Sequence, residues 1–412
     1  MLEPIDYRAT ALEERGTPYS RRDHQLVLTY RGWDAYERSR GGPNIVDFDL
    51  STIEGAASFG SRQDVLSALE KLHDQLSPVT EEEEFLRARI RGSITYLRVL
   101  MGQQIKFQDY LNETLGFEVR PFTDQEVESA RSEVSKALAP FGIDMRREDR
   151  ERFEHQLLIH DPDAIKQGIV GQQDFWLSRL RETGIPVPRQ LPLTVEFAEV
   201  DAYWNNWISG SARDGITLQI NIHPRKRYDR GRPLVLCLHE VCGHAVQMSI
   251  WRELIVRGRL SQACGLTTVH APEMFVAEGL GQTVPELLAD VSEFSPEFHL
   301  SRALQYFGLI ILHNAHLMIY EGVPVDKILQ YARDRLPLSD SDALEAEIRD
   351  RGTNPLFRSY QLSYSTGEQT IKKLIRGLSV EQKQKLFLAM YTIPMTPAQL
   401  LKVGEELRAD GP

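Results

Sequence analysis

His239-Glu240-Val241-Cys242-Gly243-His244 sets two imidazoles and a carboxylate in an apolar run. That run begins at Pro233-Leu234-Val235-Leu236-Cys237-Leu238 and continues through Ala245-Val246-Gln247-Met248. Neutral imidazoles bind zinc, and a carboxylate beside them can take the proton from a water that the metal activates. Burying three such groups on one apolar helix is costly unless they share a purpose. The spacing exceeds that of the common HExxH motif by one residue. Each residue of a regular helix turns about 100°, so histidines four apart point within roughly 40° of each other and histidines five apart diverge by about 140°. One looped-out residue, a π-bulge, restores the alignment, and such bulges occur mostly at functional sites. The sequence therefore predicts a π-bulge around Val241–Gly243, with Gly243 lowering its steric cost. The competing reading is a chance motif whose histidines are hydrogen-bonded in a core.

Two histidines leave a catalytic zinc one protein ligand short. Glu278, in Phe275-Val276-Ala277-Glu278-Gly279-Leu280-Gly281-Gln282, lies far enough downstream to come from a second helix that packs back. Glu273 and Glu286 compete with it, and His270 is a weaker alternative in an expected loop. Cys242 reads as a small buried residue before it reads as a ligand.

Helices must position these groups. Thr80-Glu81-Glu82-Glu83 forms a capping box ahead of the stripe Leu86, Ile90, Ile94, Leu97 and Met101. Amphipathic patterns predict further helices at 62–75, 103–116, 124–140 and 161–182, then at 297–321, 325–334, 341–351, 357–377, 380–391 and 397–407. Gly184-Ile185-Pro186-Val187-Pro188 interrupts them. Two strands follow, Thr194–Val200 and Gly215–His223. In the second, Ile216, Leu218, Ile220 and Ile222 alternate with Thr217, Gln219, Asn221 and His223. That polar face could hold a substrate by edge pairing, or simply be the wet side of a small sheet. The expected fold is mainly α, with a small antiparallel sheet beside the metal-binding helix. Residues 1–183 read as an N-terminal helical region and 184–412 as the catalytic metal-binding region, either separate or packed as one unit.

At 412 residues the chain can bury a large core, and its formal net charge of −11 argues against nucleic acid or an anionic membrane as partner. Met1-Leu2-Glu3-Pro4-Ile5-Asp6 does not read as a secretory leader, and no apolar run reads as a membrane span. Three cysteines do not form a disulfide framework, so a reducing cytoplasm is expected. Homodimerisation is left open.

Three segments carry a resemblance. Gly243-His244-Ala245-Val246-Gln247 is similar to the end of a PGHHLQ-like stretch, and Ala277-Glu278-Gly279-Leu280-Gly281 to an EGWA segment. Tyr360-Gln361-Leu362-Ser363-Tyr364-Ser365-Thr366-Gly367-Glu368 is similar to a QALAYKIG-like segment. In that order they resemble the helical zinc metallopeptidases of the gluzincin group, and more narrowly a bacterial family of unknown function with HExxPGH and EGWA motifs. The resemblance implies a gluzincin-like metallohydrolase in which His239, His244 and Glu278 hold Zn2+, Glu240 is the general base and Tyr364 faces the oxyanion. The family's proline is missing between Cys242 and Gly243, and Leu280 stands where a tryptophan would be. The five-residue spacing resembles the HELLGH motif of dipeptidyl peptidase III, whose EECRAD motif is absent here.

Tyr360 lies one turn before Tyr364 on the same helical face and is a second candidate catalytic donor to the oxyanion, or else plain core packing, with Arg358 nearby. His313 and His316 share one helix face and read as core histidines or as lining of the cleft. The function expected is a zinc-dependent hydrolase acting on a peptide or small-molecule amide. One alternative is a biosynthetic metalloenzyme for a small non-peptide metabolite, loaded with Fe2+ or Mn2+. The other is a non-catalytic helical binding protein.

Overall fold

In a computed structural model, which describes residues 18–77, 79–201, 204–223, 225–288 and 293–409, the apolar run around the motif is one helical rod, Arg232–Val256. Among the described residues it is long and apolar enough to cross a bilayer, which the sequence reading had denied, yet 94% of its most apolar window is buried. It runs between two hydrophobic cores. Leu236, Leu238, Val241, Cys242, Val246 and Ile250 face one of them, with Phe275, Leu280, Ile371 and Leu386. Ala245, Met248, Trp251 and Ile255 face the other, with Trp33, Phe85, Tyr96 and Tyr110. A helix covered on all sides is apolar all round. Both cores draw residues from before and after position 183.

The protein is mainly α with a small sheet. Most predicted helices form within two or three residues of the expected ends, among them Arg62–Gln75, Pro296–Tyr320 and Val380–Thr392. The expected 161–182 helix is two, Pro162–Val170 and Gln173–Glu182, and Pro18–Arg38 and Arg150–Leu157 are additional. Thr80 caps Glu81–Leu100 by accepting from the Glu83 amide, but the Glu83 carboxylate accepts from Val79 N–H, so the box is displaced by one residue.

The sheet comprises β1 (Phe48–Asp49), β2 (Leu193–Ala198), β3 (Asn206–Ser211), β4 (Gly215–Asn221) and β5 (Leu266–Thr267), in the order β2-β4-β3-β1-β5. It is mixed rather than purely antiparallel: β2 runs parallel to β4 and β1 to β3. Ile216, Leu218 and Ile220 are buried, as their alternation predicts. The edge-pairing expectation fails, because β4 is paired on both sides and has no free edge.

Candidate metal centre

Three helical elements build the site. The rod departs from α-geometry over Cys237–Ala245, which is π-helical. The distortion is wider than the single looped-out residue expected. Its i→i+5 hydrogen bonding brings residues five apart onto one face. His239 Nε2 and His244 Nε2 consequently lie 3.1 Å apart, with their rings at 87°. The Tyr391 hydroxyl donates to the Cys242 carbonyl at 2.7 Å and so anchors the irregular turn from outside. Gly243 has a role the sequence did not reveal: a Cβ there would stand 2.9 Å from the Gly281 Cα.

Helix Glu273–Thr283 supplies Glu278, and helix Phe357–Ile375 supplies Tyr360 and Tyr364. The two helices meet where Gly279 faces Gly367, with no room for a Cβ on either. Glu278 Oε2 lies 3.2 Å from His239 Nε2 and 3.5 Å from His244 Nε2. Tetrahedral zinc with bonds near 2.05 Å requires ligand atoms about 3.3 Å apart. The three separations bracket that value. Glu278 Oε2 is also buried without a hydrogen-bond partner, as a carboxylate oxygen reserved for a cation would be. The residues therefore fit a zinc ion.

Glu240 also approaches the two histidines closely enough to be considered a ligand. Its Oε1 is 3.8 Å from His239 Nε2, farther than Glu278, and already accepts from Asn206 Nδ2 at 2.6 Å. That geometry suits a base next to the metal position better than a ligand. Asn206 opens β3, a strand the sequence reading missed because Asn206-Trp207-Ile208-Ser209-Gly210 does not alternate.

Tyr360 OH donates to Glu278 Oε1 at 2.5 Å and lies 2.8 Å from Tyr364 OH. Burial, reinforced by Glu278, holds both phenols well above their ordinary range, so both stay protonated. With the Tyr360 proton committed to Glu278, Tyr364 is the donor between them. Burial opposes charge on Glu278, but His244 and His239 outweigh it and keep the carboxyl well below the usual carboxylate range.

The other sequence candidates lie elsewhere. Glu273 pairs with Arg89 at 2.7 Å in the core, and Glu286 lies 3.9 Å from Lys372. His270 stacks on Tyr96 and meets Ser93. His313 is held by Ser365 and the Arg120 carbonyl, and His316 by the Arg358 carbonyl. Arg358 lies over the rings of Tyr110 and Tyr320. Cys242 is a buried thiol whose hydrogen bond with Cys237, together with burial, pushes its pKa up, so it stays protonated.

A cleft of about 500 Å3 opens onto these groups, with Trp204, Trp207, Arg232, Arg351 and Asp47 among its walls. Burial, with Asp34 adding to it, pushes the Asp47 carboxyl up to about 7. Nothing local in the sequence marks Asp47, because its neighbours in the cleft come from distant segments.

No protein-family model matches the chain, and no curated protein does. Solved structures do. A protein from Colwellia psychrerythraea, described as a "putative lipoprotein", aligns with TM-score 0.56 at 15% identity, over 85% of this chain and 68% of that one. A "putative lipoprotein of unknown function" from Shewanella oneidensis aligns with TM-score 0.51 at 13% identity, over 84% and 71%. At these identities the likeness is one of fold. The cytoplasmic placement expected from the sequence is corrected by this comparison: each of these structural neighbours is described as a "putative lipoprotein".

Proposed function

We propose that this chain is a zinc-dependent amide hydrolase. The observation that carries the reading is the triangle of His239 Nε2, His244 Nε2 and Glu278 Oε2, with sides of 3.1, 3.2 and 3.5 Å and Glu240 just outside it. Zinc bound there would supply Lewis-acid polarisation of a water and of the substrate carbonyl. Glu240, oriented by Asn206, takes a proton from the attacking water and passes it to the leaving nitrogen. Tyr364 turns its hydroxyl from Tyr360 to the oxygen on which charge develops. Tyr360 holds Glu278 in its ligand orientation, a positioning role in place of the direct one expected from the sequence.

The cleft volume is in the range of small-ligand pockets, and β4 offers no edge for an extended chain. Both features favour a short substrate, a small amide or the end of a peptide. Elemental analysis after chelator-free purification should find about one zinc per chain. Glu240→Gln should keep the zinc and lose turnover, while Glu278→Ala should lose the zinc. A folded protein that takes up no metal would sink the reading, and iron in place of zinc would move it to redox chemistry.

A further inference from the structure

Arg351 is nearly fully buried, with its side chain 3% exposed, and it lines the same cleft. Its Nη2 donates to Glu347 Oε1 at 2.8 Å and to Gln361 Oε1 at 3.1 Å. Its Nε and Nη1 are buried and meet no acceptor among the described residues. Unpaired donors on a buried guanidinium are expensive, and a bound anion is the usual remedy. Gln361 follows Tyr360 in the chain, so Arg351 stands on the wall that carries the Tyr360–Glu278 contact.

A second guanidinium faces the same space. Arg232 begins the rod and lines the cleft, about 10 Å along the axis from His239. Its backbone N–H donates to the Asp229 carbonyl at 3.0 Å, and its guanidinium lies in the field of Asp229 and, beyond it, of Glu240. The carboxylates close to these two are engaged. Glu347 is held by Arg351, and Asp229 accepts from Gly231 N–H and the Ser301 hydroxyl.

We infer that the cleft recognises substrates bearing a free carboxylate, bound by Arg351 and Arg232 while the scissile amide reaches Glu240. The substrate class is then N-acyl amino acids or the carboxyl ends of short peptides. This inference rests on the amide-hydrolase reading for the reaction, but not for the binding of the carboxylate.

The test uses the full chain and one mixed set of N-acetyl amino acids and N-acetyl dipeptides, prepared both as free acids and as C-terminal carboxamides. Binding is measured by calorimetry on metal-stripped and zinc-loaded protein, and cleavage on the zinc-loaded protein. The free acids should bind roughly 10- to 100-fold more tightly than the amides in both metal states. Arg351→Gln should erase most of that preference, and Arg232→Gln should reduce it. If Arg351→Gln fails to fold, the acid-to-amide ratio of the wild type and the effect of Arg232→Gln still decide. Equal binding of acids and amides, or binding of neither, overturns the inference even if amides are cleaved. Acid-selective binding without any cleavage sustains it and counts only against the hydrolase reading.

Discussion

Gly281 lies beneath the imidazole of His239, so that a Cβ at position 281 would stand 2.7 Å from both Nδ1 and Cε1 of the ring. The ligand therefore rests on a neighbouring backbone, and its ring plane is set by the absence of a side chain. Gly281→Ala should tilt His239 out of the triangle and weaken zinc binding at least about tenfold. The overpacking should also cost about 1–3 kcal/mol of stability. Competition against a chromophoric chelator measures the first and urea unfolding the second. Unchanged zinc affinity would show that the ring is positioned by something else.

Asn206 reaches Glu240 from a strand far from the motif in the chain. Asn206→Ala should leave zinc content unchanged and lower kcat roughly tenfold or more, as expected when a general base loses its orientation. Asn206→Asp should be worse, since it sets a second carboxylate against Glu240. A kcat equal to wild type in Asn206→Ala would remove the residue from the mechanism.

The two tyrosines should separate cleanly. Tyr364→Phe should lower kcat by about 10²-fold or more with zinc retained, because it removes an oxyanion donor. Tyr360→Phe should weaken zinc binding about 10- to 100-fold through the loosened Glu278. The opposite pattern, with zinc lost in Tyr364→Phe and kept in Tyr360→Phe, would reverse the roles.

Two core histidines make stability depend on pH. Burial lowers His270 to about 3 and His313 to about 4. Both are neutral when folded but take up a proton near pH 6.5 once unfolded. Their contribution is complete above pH 6.5 and is lost as pH falls toward the folded values, at about 1.4 kcal/mol per pH unit for each. Urea unfolding at pH 7 and pH 5 should show the loss, and His313→Gln should flatten it. Asp47, raised to about 7, works in the opposite direction over the same window, so the variant decides: an unchanged pH dependence in His313→Gln would contradict the neutral assignment.

What could be read in the chain was local. The helices after residue 296 follow from apolar periodicity, and the π distortion follows from the five-residue histidine spacing alone. Pro18–Arg38 escaped notice because Gly32 interrupts it, and only the fold explains that glycine: a Cβ there would stand 2.3 Å from the Ala57 carbonyl oxygen. Asn206, Asp47, Arg232 and Arg351 escaped for a related reason. Each becomes significant only through a neighbour brought in by tertiary packing, and no residue near it in sequence carries a signal. The edge role expected of β4 failed likewise, because its two partners are decided by sheet topology.

The π segment also bears on how kinship to this chain could be recognised. The added residue is absorbed within Cys237–Ala245, so Trp251 and Ile255 beyond it still pack on the core that holds Trp33 and Tyr96 while Leu236 before it packs on the other. A chain one residue shorter, with histidines four apart on an ordinary helix, could keep both halves of the rod facing as they do here. A search that fixes the spacing of the motif would file two such chains as strangers, although a single codon and one widened helical turn are all that need divide them.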